Sequence, residues 1–448
     1  MRVRHQLNRD GFTLIELIMV MGIFMVVLMI SMSAFESVIK ISNSVTKSAQ
    51  SQMAGIVGLE ILRKDLNSTG YGLPWSFLVQ PDPTTYLESN MGADNPVTGL
   101  SADDFNDARA NSAATLPLLV AIPRAVVLGT VPMTAPKIIS GGGNKSNPGS
   151  DYLVIKSVAV AFNSSVGKWG YVNYSGNQTT NSSYIAQWNS AEDLAANDVV
   201  TTHTNTFSGT GQAQHVLAMA DSTHFSYRLD STTKDAAGHF VPPDANYRPS
   251  GNLVDPSGAK LNKENMIAYA IKSFNSDPTP LRMPFNRADY FVSRPTSTMP
   301  GRCNPGTGML YKAVIVNSIG AGNAGGGQTL YPLLDCVGDM QVIFDMQDPN
   351  DVNKTMTVDT LATLSAEDIR TRLKAIRVYI LVHEGGKDNG YSYPFTDSSN
   401  VITVSDNRTL SLGRTFTQTD MVNYFGSEWN KYRWMVYSVV GQPYNLLY

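Results

Sequence analysis

Apolar residues run from Phe12 to Ile30 (FTLIELIMVMGIFMVVLMI), interrupted only by Thr13, Glu16 and Gly22. A helix at 1.5 Å per residue carries such a run across roughly 28 Å, about the thickness of a bilayer core. The pattern then changes period without a break. From Ser31 to Ser68 there is no proline, and Phe35, Val38, Val45, Ala49, Ile56, Leu59 and Leu66 recur at steps of three, four and seven. That spacing predicts an amphipathic helix continuing the apolar one, with Glu36/Lys40 and Glu60/Lys64 as i,i+4 pairs in the favourable order. Gly55 and Gly58 weaken it and offer a bend, and Gly70, Gly72 and Pro74 end it. The whole helix, Phe12 to about Ser68, would be roughly 85 Å long.

Beyond Pro74 the chain reads as strands between Gly/Pro/Asn/Ser breaks. Strands are predicted at Asp151–Phe162, His215–Met219, Thr223–Leu229, Met266–Ser273, Leu310–Ser318, Met340–Met346, Ala375–Glu384 and Arg433–Val440. The seventh alternates strictly through Ile376, Val378, Ile380 and Val382. Two helices are expected: Ser101–Ala110, and Ser365–Leu373 with Ser365 and Asp368 as a capping box. Asn163–Gln187 and Asp235–Lys263 read as polar loops or an inserted module. No internal repeat is visible.

Composition sharpens this. Only 16% of residues are charged against 42% hydrophobic, below the roughly 25% charged of an ordinary soluble domain. Uncharged polar residues fill the gap, which suits β-structure facing an extracellular medium. A net charge of −3 gives no basis for nucleic-acid binding. Two cysteines exclude a cysteine-based zinc module or an iron–sulfur protein.

The residues before the apolar run are basic (Arg2, Arg4, His5, Arg9) with one acid, Asp10. This bias sets the amino terminus in the cytoplasm and the carboxyl side outside. A secretory signal starts the same way, and Ser31 and Ser33 could serve its cleavage site. Glu16 argues against it. A carboxylate inside an apolar span costs on the order of 2.5–3.5 kcal/mol unless compensated, so it marks function and needs a partner.

Arg9-Asp10-Gly11-Phe12-Thr13-Leu14-Ile15-Glu16 and the apolar run after it resemble the type IV prepilin cleavage and methylation motif. In that family a membrane-bound prepilin peptidase cuts between the glycine and the phenylalanine and methylates the new amino terminus. The resemblance implies a cut between Gly11 and Phe12, methylation of Phe12, and Glu16 as the residue that pairs with a neighbouring subunit's amino terminus during assembly. Opposite charges buried together relieve each other's desolvation. Losing residues 1–11 removes a net +2 and leaves the mature chain near −5.

The end of the stem narrows the family. Leu62-Arg63-Lys64-Asp65-Leu66 and Gly70-Tyr71-Gly72-Leu73 resemble PilW-type minor pilins, as do Leu333 to Val342, Arg372 to Tyr379, Tyr432-Arg433-Trp434 and Asn445-Leu446. Residues 75–300 carry no such resemblance. The implied fold is α+β: a long N-terminal stem helix, membrane-spanning in its first half, packed on a β-rich, mainly antiparallel outer domain. The expected division is a leader at 1–11, a transmembrane half-stem at 12–30 and an outer half-stem at 31–70. A β-rich domain with polar loops or an inserted module follows at 71–300, and its C-terminal part at 301–448. Major pilins commonly carry a proline near the membrane exit, where this chain has Ser31-Met32-Ser33-Ala34, and the length of 448 residues is large for a bulk subunit. Both point to a minor subunit.

Other chemistry is thin. Gly320 to Gly325 fits GxGxxG, but Gly326-Gly327-Gln328-Thr329-Leu330-Tyr331-Pro332 follows where a dinucleotide site needs a helix; a hairpin loop is expected. Asp345, Asp348, Asn350, Asp351 and Asn353 form an acidic cluster whose spacing Val352 and Lys354 spoil for a calcium loop; these are weak metal candidates beside a solvated turn. His203, His215, His224, His239 and His383 share no metal-ligand spacing, and no hydrolase or nucleotide motif occurs. The chain is therefore expected to be non-enzymatic and to need no cofactor.

Cys303 and Cys336 both fall outside the cytoplasm in this topology, where thiols oxidise, so a disulfide is expected. Closing that loop stabilises by about 3–4 kcal/mol in the chain-entropy model. The expectation is a minor pilin that waits as a single-pass inner-membrane protein with its outer domain in the periplasm, primes assembly and ends near the pilus tip. Its expected partners are the prepilin peptidase, other minor pilins, the major pilin and the inner-membrane assembly platform, with a tip adhesin as a further candidate. The alternatives are a minor pseudopilin of type II secretion and a stem-anchored adhesin or ligand-binding domain.

Overall fold

The computed structural model describes residues 13–77, 81, 86, 88–89, 105–107, 122–130, 149–174, 183–188, 190, 192–207, 213–249, 266–275, 278–294, 299–318, 327–406, 409, 412–444 and 446. The chain divides into two compact units, Met1–Met53 and Ala54–Tyr448. The described residues of the first, 13–53, belong to a single helix, α1 (Leu14–Asn67), apart from Thr13. Its end at Asn67 agrees with the break expected at Gly70 and Gly72, both of which adopt positive φ.

The second unit contains the last turns of α1 and two large sheets. The main sheet has eight strands. They are β2 (Val126–Thr130), β3 (Asp151–Ser157), β10 (Asn286–Ser293), β11 (Gly308–Ile315), β12 (Gln328–Gln347), β13 (Thr355–Val358), β14 (Leu373–Glu384) and β17 (Arg433–Gly441). Their order is β17-β14-β12-β11-β10-β3-β2, with β13 beside the end of β12, and every pairing is antiparallel. The sheet takes strands from both sides of residue 300, so 71–300 and 301–448 share one core.

One face of this sheet packs the stem. Leu62 and Leu66 are fully buried in a cluster with Ile376, Val378, Ile380 and Val382, the alternating positions of β14. The stem glycines serve this contact. A Cβ on Gly58 would strike the Leu333 carbonyl, and one on Gly55 would press on Leu334, so both let the helix lie close on β12. Nor is Glu60 paired as expected: Arg63, at i,i+3, holds it at 2.7 Å. The opposite face is covered too. Tyr379 and Leu381 of β14 pack on Phe416, Phe425, Trp429 and Trp434, from a hairpin of β15 (Ile402–Val404) and β16 (Arg414–Phe416), from α3 (Gln418–Phe425), a short 3-10 turn and β17.

α2 (Ala366–Arg372) starts on the Ser365/Asp368 capping box and leads directly into β14. α3 has the same device, Thr417 with Asp420. The expected helix at 101–110 lies outside the described residues except for 105–107.

The second sheet has seven strands. They are β1 (Ser76–Phe77), β4 (Trp169–Tyr174), β5 (Ser183–Ile185), β6 (Asp198–Phe207), β7 (Ala213–Leu217), β8 (Tyr227–Arg228) and β9 (Met266–Ser273). Their order is β1-β7-β6-β9-β4-β5, with β8 on β6, and only β1–β7 is parallel. Apart from β1, it lies wholly between β3 and β10, which are themselves paired (Ser157 opposite Asn286). It is an insertion in a hairpin of the main sheet. Asn163–Gln187, expected as a polar loop or an inserted module, contains β4 and β5 of this inserted sheet, whereas the strand expected at Thr223–Leu229 shrinks to β8. Of the expected loop at Asp235–Lys263, residues 235–249 are described, with only a 3-10 turn at Ala245–Tyr247.

Buried charge ties these parts together. Asp65 of the stem meets Lys312 of β11 at 2.5 Å and the Tyr290 hydroxyl of β10 at 2.7 Å. Lys156 and Arg287, on β3 and β10, are shared among Glu88, Asp107 and Asp289.

Candidate functional site: the amino-terminal segment

The span that would enter a membrane is Leu14–Glu36, with a mean hydropathy of 2.7 and none of it buried within the chain. Large apolar side chains point outward all round this helix, from Leu14 through Phe35. A helix apolar on all sides needs a lipid or protein environment.

Thr13 and Glu16 close its first turn. The Glu16 carboxylate accepts the Thr13 backbone N–H and the Thr13 hydroxyl, both at 2.9 Å, and the Glu16 N–H points back to the Thr13 hydroxyl at 3.4 Å. This is a capping box, in which the N-cap threonine and the glutamate three residues on satisfy each other's backbone. The carboxylate is thereby held one residue from Phe12. Gly11 and Phe12 themselves lie outside the described residues. The sequence signal for this capping box is Thr-x-x-Glu directly before an apolar run.

The remaining candidates fall at separate places. Cys303 and Cys336 form a disulfide. Among the described residues, Cys303, Asp335 and Cys336 alone bring three metal-type donors within 4.8 Å, and the two sulfurs are bonded to each other. Asp345 is taken by Arg377 at 2.7 Å, while Asp348 and Asp351 accept the N–H of Asn350 and Asn353 in the turn between β12 and β13. The acidic residues thus cap a turn and an ion pair and do not converge.

The histidines are also dispersed. Burial lowers His203 to about 3, and burial lowers His215 and His383 to about 4. His383 accepts the Asn304 N–H at 2.8 Å. His224 and His239 each sit on a nearby aspartate, Asp221 and Asp235. The GxGxxG stretch at 320–325 lies outside the described residues, between the paired strands β11 and β12.

Residues 7–32 match the prokaryotic N-terminal methylation motif. This is the N-methylation motif of type IV prepilin-like proteins. The motif brackets Gly11, Phe12 and Glu16, and implies processing by a prepilin peptidase and assembly with pilus-type partners. The apolar helix fits a membrane-anchored pilin. No curated protein and no solved structure matches the chain.

Proposed function

We propose that the protein is a minor pilin of the PilW type, a structural and non-catalytic subunit that helps to prime a type IV pilus and ends near its tip. The observation that carries this is the prepilin-like segment at residues 7–32 heading an exposed apolar helix, followed by a large outer domain. A bulk filament repeats one subunit along its whole length. A 448-residue chain with a second sheet inserted in its outer domain suits a position occupied once or a few times. In this reading Phe12 is the methylated first residue, the amino terminus starts in the cytoplasm and the outer domain in the periplasm. Glu16 meets the amine of Phe12 on an adjoining subunit, and the neighbours are other minor pilins and the major pilin, delivered by the inner-membrane assembly platform.

The test is deletion of the gene, with surface pili counted by electron microscopy beside assays of exported proteins. Loss of pili, restored by the wild-type gene, together with recovery of the protein in sheared pili, is expected. Normal piliation with a defect in protein export would overturn the pilus role in favour of a type II secretion pseudopilin.

A further inference from the structure

Trp188 is the one exposed tryptophan of five, with 48% of its surface accessible. It is not isolated. Its ring lies 5.1 Å from Trp169 and 6.2 Å from Tyr171, which are 5.3 Å from each other. Tyr171 is 42% exposed. Trp169 and Tyr171 stand two residues apart on β4 and so share one face of the inserted sheet. On that face β9 sets Tyr269 opposite Trp169, and Tyr269 packs edge-on against Tyr71 at 5.5 Å. Glu192 is exposed in the loop that carries Trp188, its backbone N–H donating to the Ser190 hydroxyl at 3.2 Å. The loop that presents Trp188 is pinned, because the Asp193 carboxylate accepts the N–H of Trp188 at 2.9 Å and of Ser190 at 3.1 Å.

We propose that Trp169, Tyr171 and Trp188 form a binding platform for a neutral saccharide, with Tyr71 and Glu192 at its rim as hydrogen-bonding groups. An aromatic face is electron-rich, and a sugar ring offers it a flat array of C–H bonds carrying slight positive charge, with hydroxyls around the edge for the rim. Chain folding alone gains nothing from leaving such rings in water on a pinned loop, since burying them is what stabilises. The geometry selects against other ligands. A quaternary ammonium needs a gap between aromatic walls, whereas these rings touch one another. A protein partner needs about 800 Å² per side with an apolar centre, yet among the described residues of 169–273 only Tyr171 and Trp188 are large hydrophobics exposed to solvent. The patch is the size of a sugar ring or two. This inference stands apart from the assembly role, since it concerns the inserted sheet and its failure leaves that role as it was.

The test uses the full-length protein in detergent on an array of neutral oligosaccharides built from glucose, galactose, mannose and N-acetylglucosamine, followed by titration of any that bind. Binding to at least one glycan is expected. Trp188→Ala should weaken it about ten-fold, equivalent to 1.4 kcal/mol, with an unchanged circular dichroism spectrum, and Trp188→Phe should retain most of the affinity. Three results would each overturn the proposal. They are no binding across the array, wild-type affinity in Trp188→Ala, and displacement of the bound glycan by tetramethylammonium.

Discussion

Replacing Asp65 with alanine tests how the stem is fixed to the outer domain. Asp65 is 3% exposed and Lys312 1%, their charged atoms are 2.5 Å apart, and the Tyr290 hydroxyl donates to the same carboxylate oxygen at 2.7 Å. Burial pushes the Asp65 carboxyl up and the Lys312 ammonium down, and their mutual attraction opposes both shifts. Taking away the carboxylate strands a buried ammonium whose remaining neighbour is the Phe162 ring, 3.9 Å from its centroid. Breaking a buried pair costs about 3–5 kcal/mol, most of it the penalty of the orphaned charge. That contact is present with or without the carboxylate and offsets nothing, so Asp65→Ala should cost about 3–5 kcal/mol. With a urea dependence of about 3 kcal/mol per molar, the midpoint of the outer domain should fall by about 1–1.7 M. The double variant Asp65→Ala/Lys312→Met removes both charges and should recover most of the loss, because apolar replacement of a buried pair is often close to neutral. The assay is urea unfolding of the full-length protein in detergent, followed by tryptophan fluorescence. A loss below about 0.5 kcal/mol in the single variant, or a double variant no better than the single, would refute the reasoning.

Further outcomes are expected along the chain. Intact mass and amino-terminal sequencing of protein from the envelope should find N-methylated Phe12; a terminus created after Ser33 would instead mark an ordinary secretory signal. Non-reducing peptide maps should join Cys303 to Cys336, and Cys336→Ser should destabilise by about 3–4 kcal/mol in the chain-entropy model; two free thiols in envelope protein contradict this. Burial pushes the Asp151 carboxyl up to about 8, against the Val342 N–H that it accepts, so the folded chain keeps a proton that the unfolded carboxyl releases near 3.8. Its contribution therefore falls as pH rises from about 4 to about 8, by up to about 1.4 kcal/mol per unit, and Asp151→Asn should flatten urea midpoints measured across that window; an unaltered slope rules it out. Glu16→Ala should leave membrane insertion and Gly11 cleavage intact and reduce recovery in sheared pili, while Thr13→Val, which removes only the capping hydroxyl, should reduce it less; wild-type recovery of the Glu16 variant shows that the carboxylate is not an assembly contact.

The parts legible in the sequence were those whose signal is local. The apolar run, the prepilin motif, the capping box at Ser365 and the alternation of β14 each declare themselves within a few residues. β9 was placed at its observed ends, and β17 to within a residue. What failed was structure carried by polar residues. β6 reads Asp-Val-Val-Thr-Thr-His-Thr-Asn-Thr-Phe; its threonines favour strands by shape, but hydrophobicity alone hides them. β4 reads Trp-Gly-Tyr-Val-Asn-Tyr, an aromatic-rich strand lost among Ser and Asn. β10 buries Arg287 and Asp289, which no hydrophobic pattern predicts, since besides each other their partners are Glu88 and Asn106 for Arg287 and Tyr152 for Asp289, all distant in sequence. The close approach of Gly55 and Gly58 to β12 is hidden for the same reason, since it is invisible until β12 is in place.

The insertion explains how one outer domain can carry two tasks. β3 and β10 are adjacent and antiparallel, so the chain leaves the main sheet at Ser157 and returns at Asn286 directly opposite. Because both ends are already held together, an insert of any length adds little closure cost to the host, which grows only with the logarithm of loop length. The inserted sheet has a core of its own, with Val172, Val200, Met266 and Ala268 on one face. Its other face meets Val158 and Leu281 at the junction and Tyr71 just past the stem. The stem is gripped elsewhere, by β10, β11, β12 and β14. Anchoring to the stem and presentation of the Trp188 platform therefore draw on different cores, and substitutions on the exposed face of one should leave the other in place.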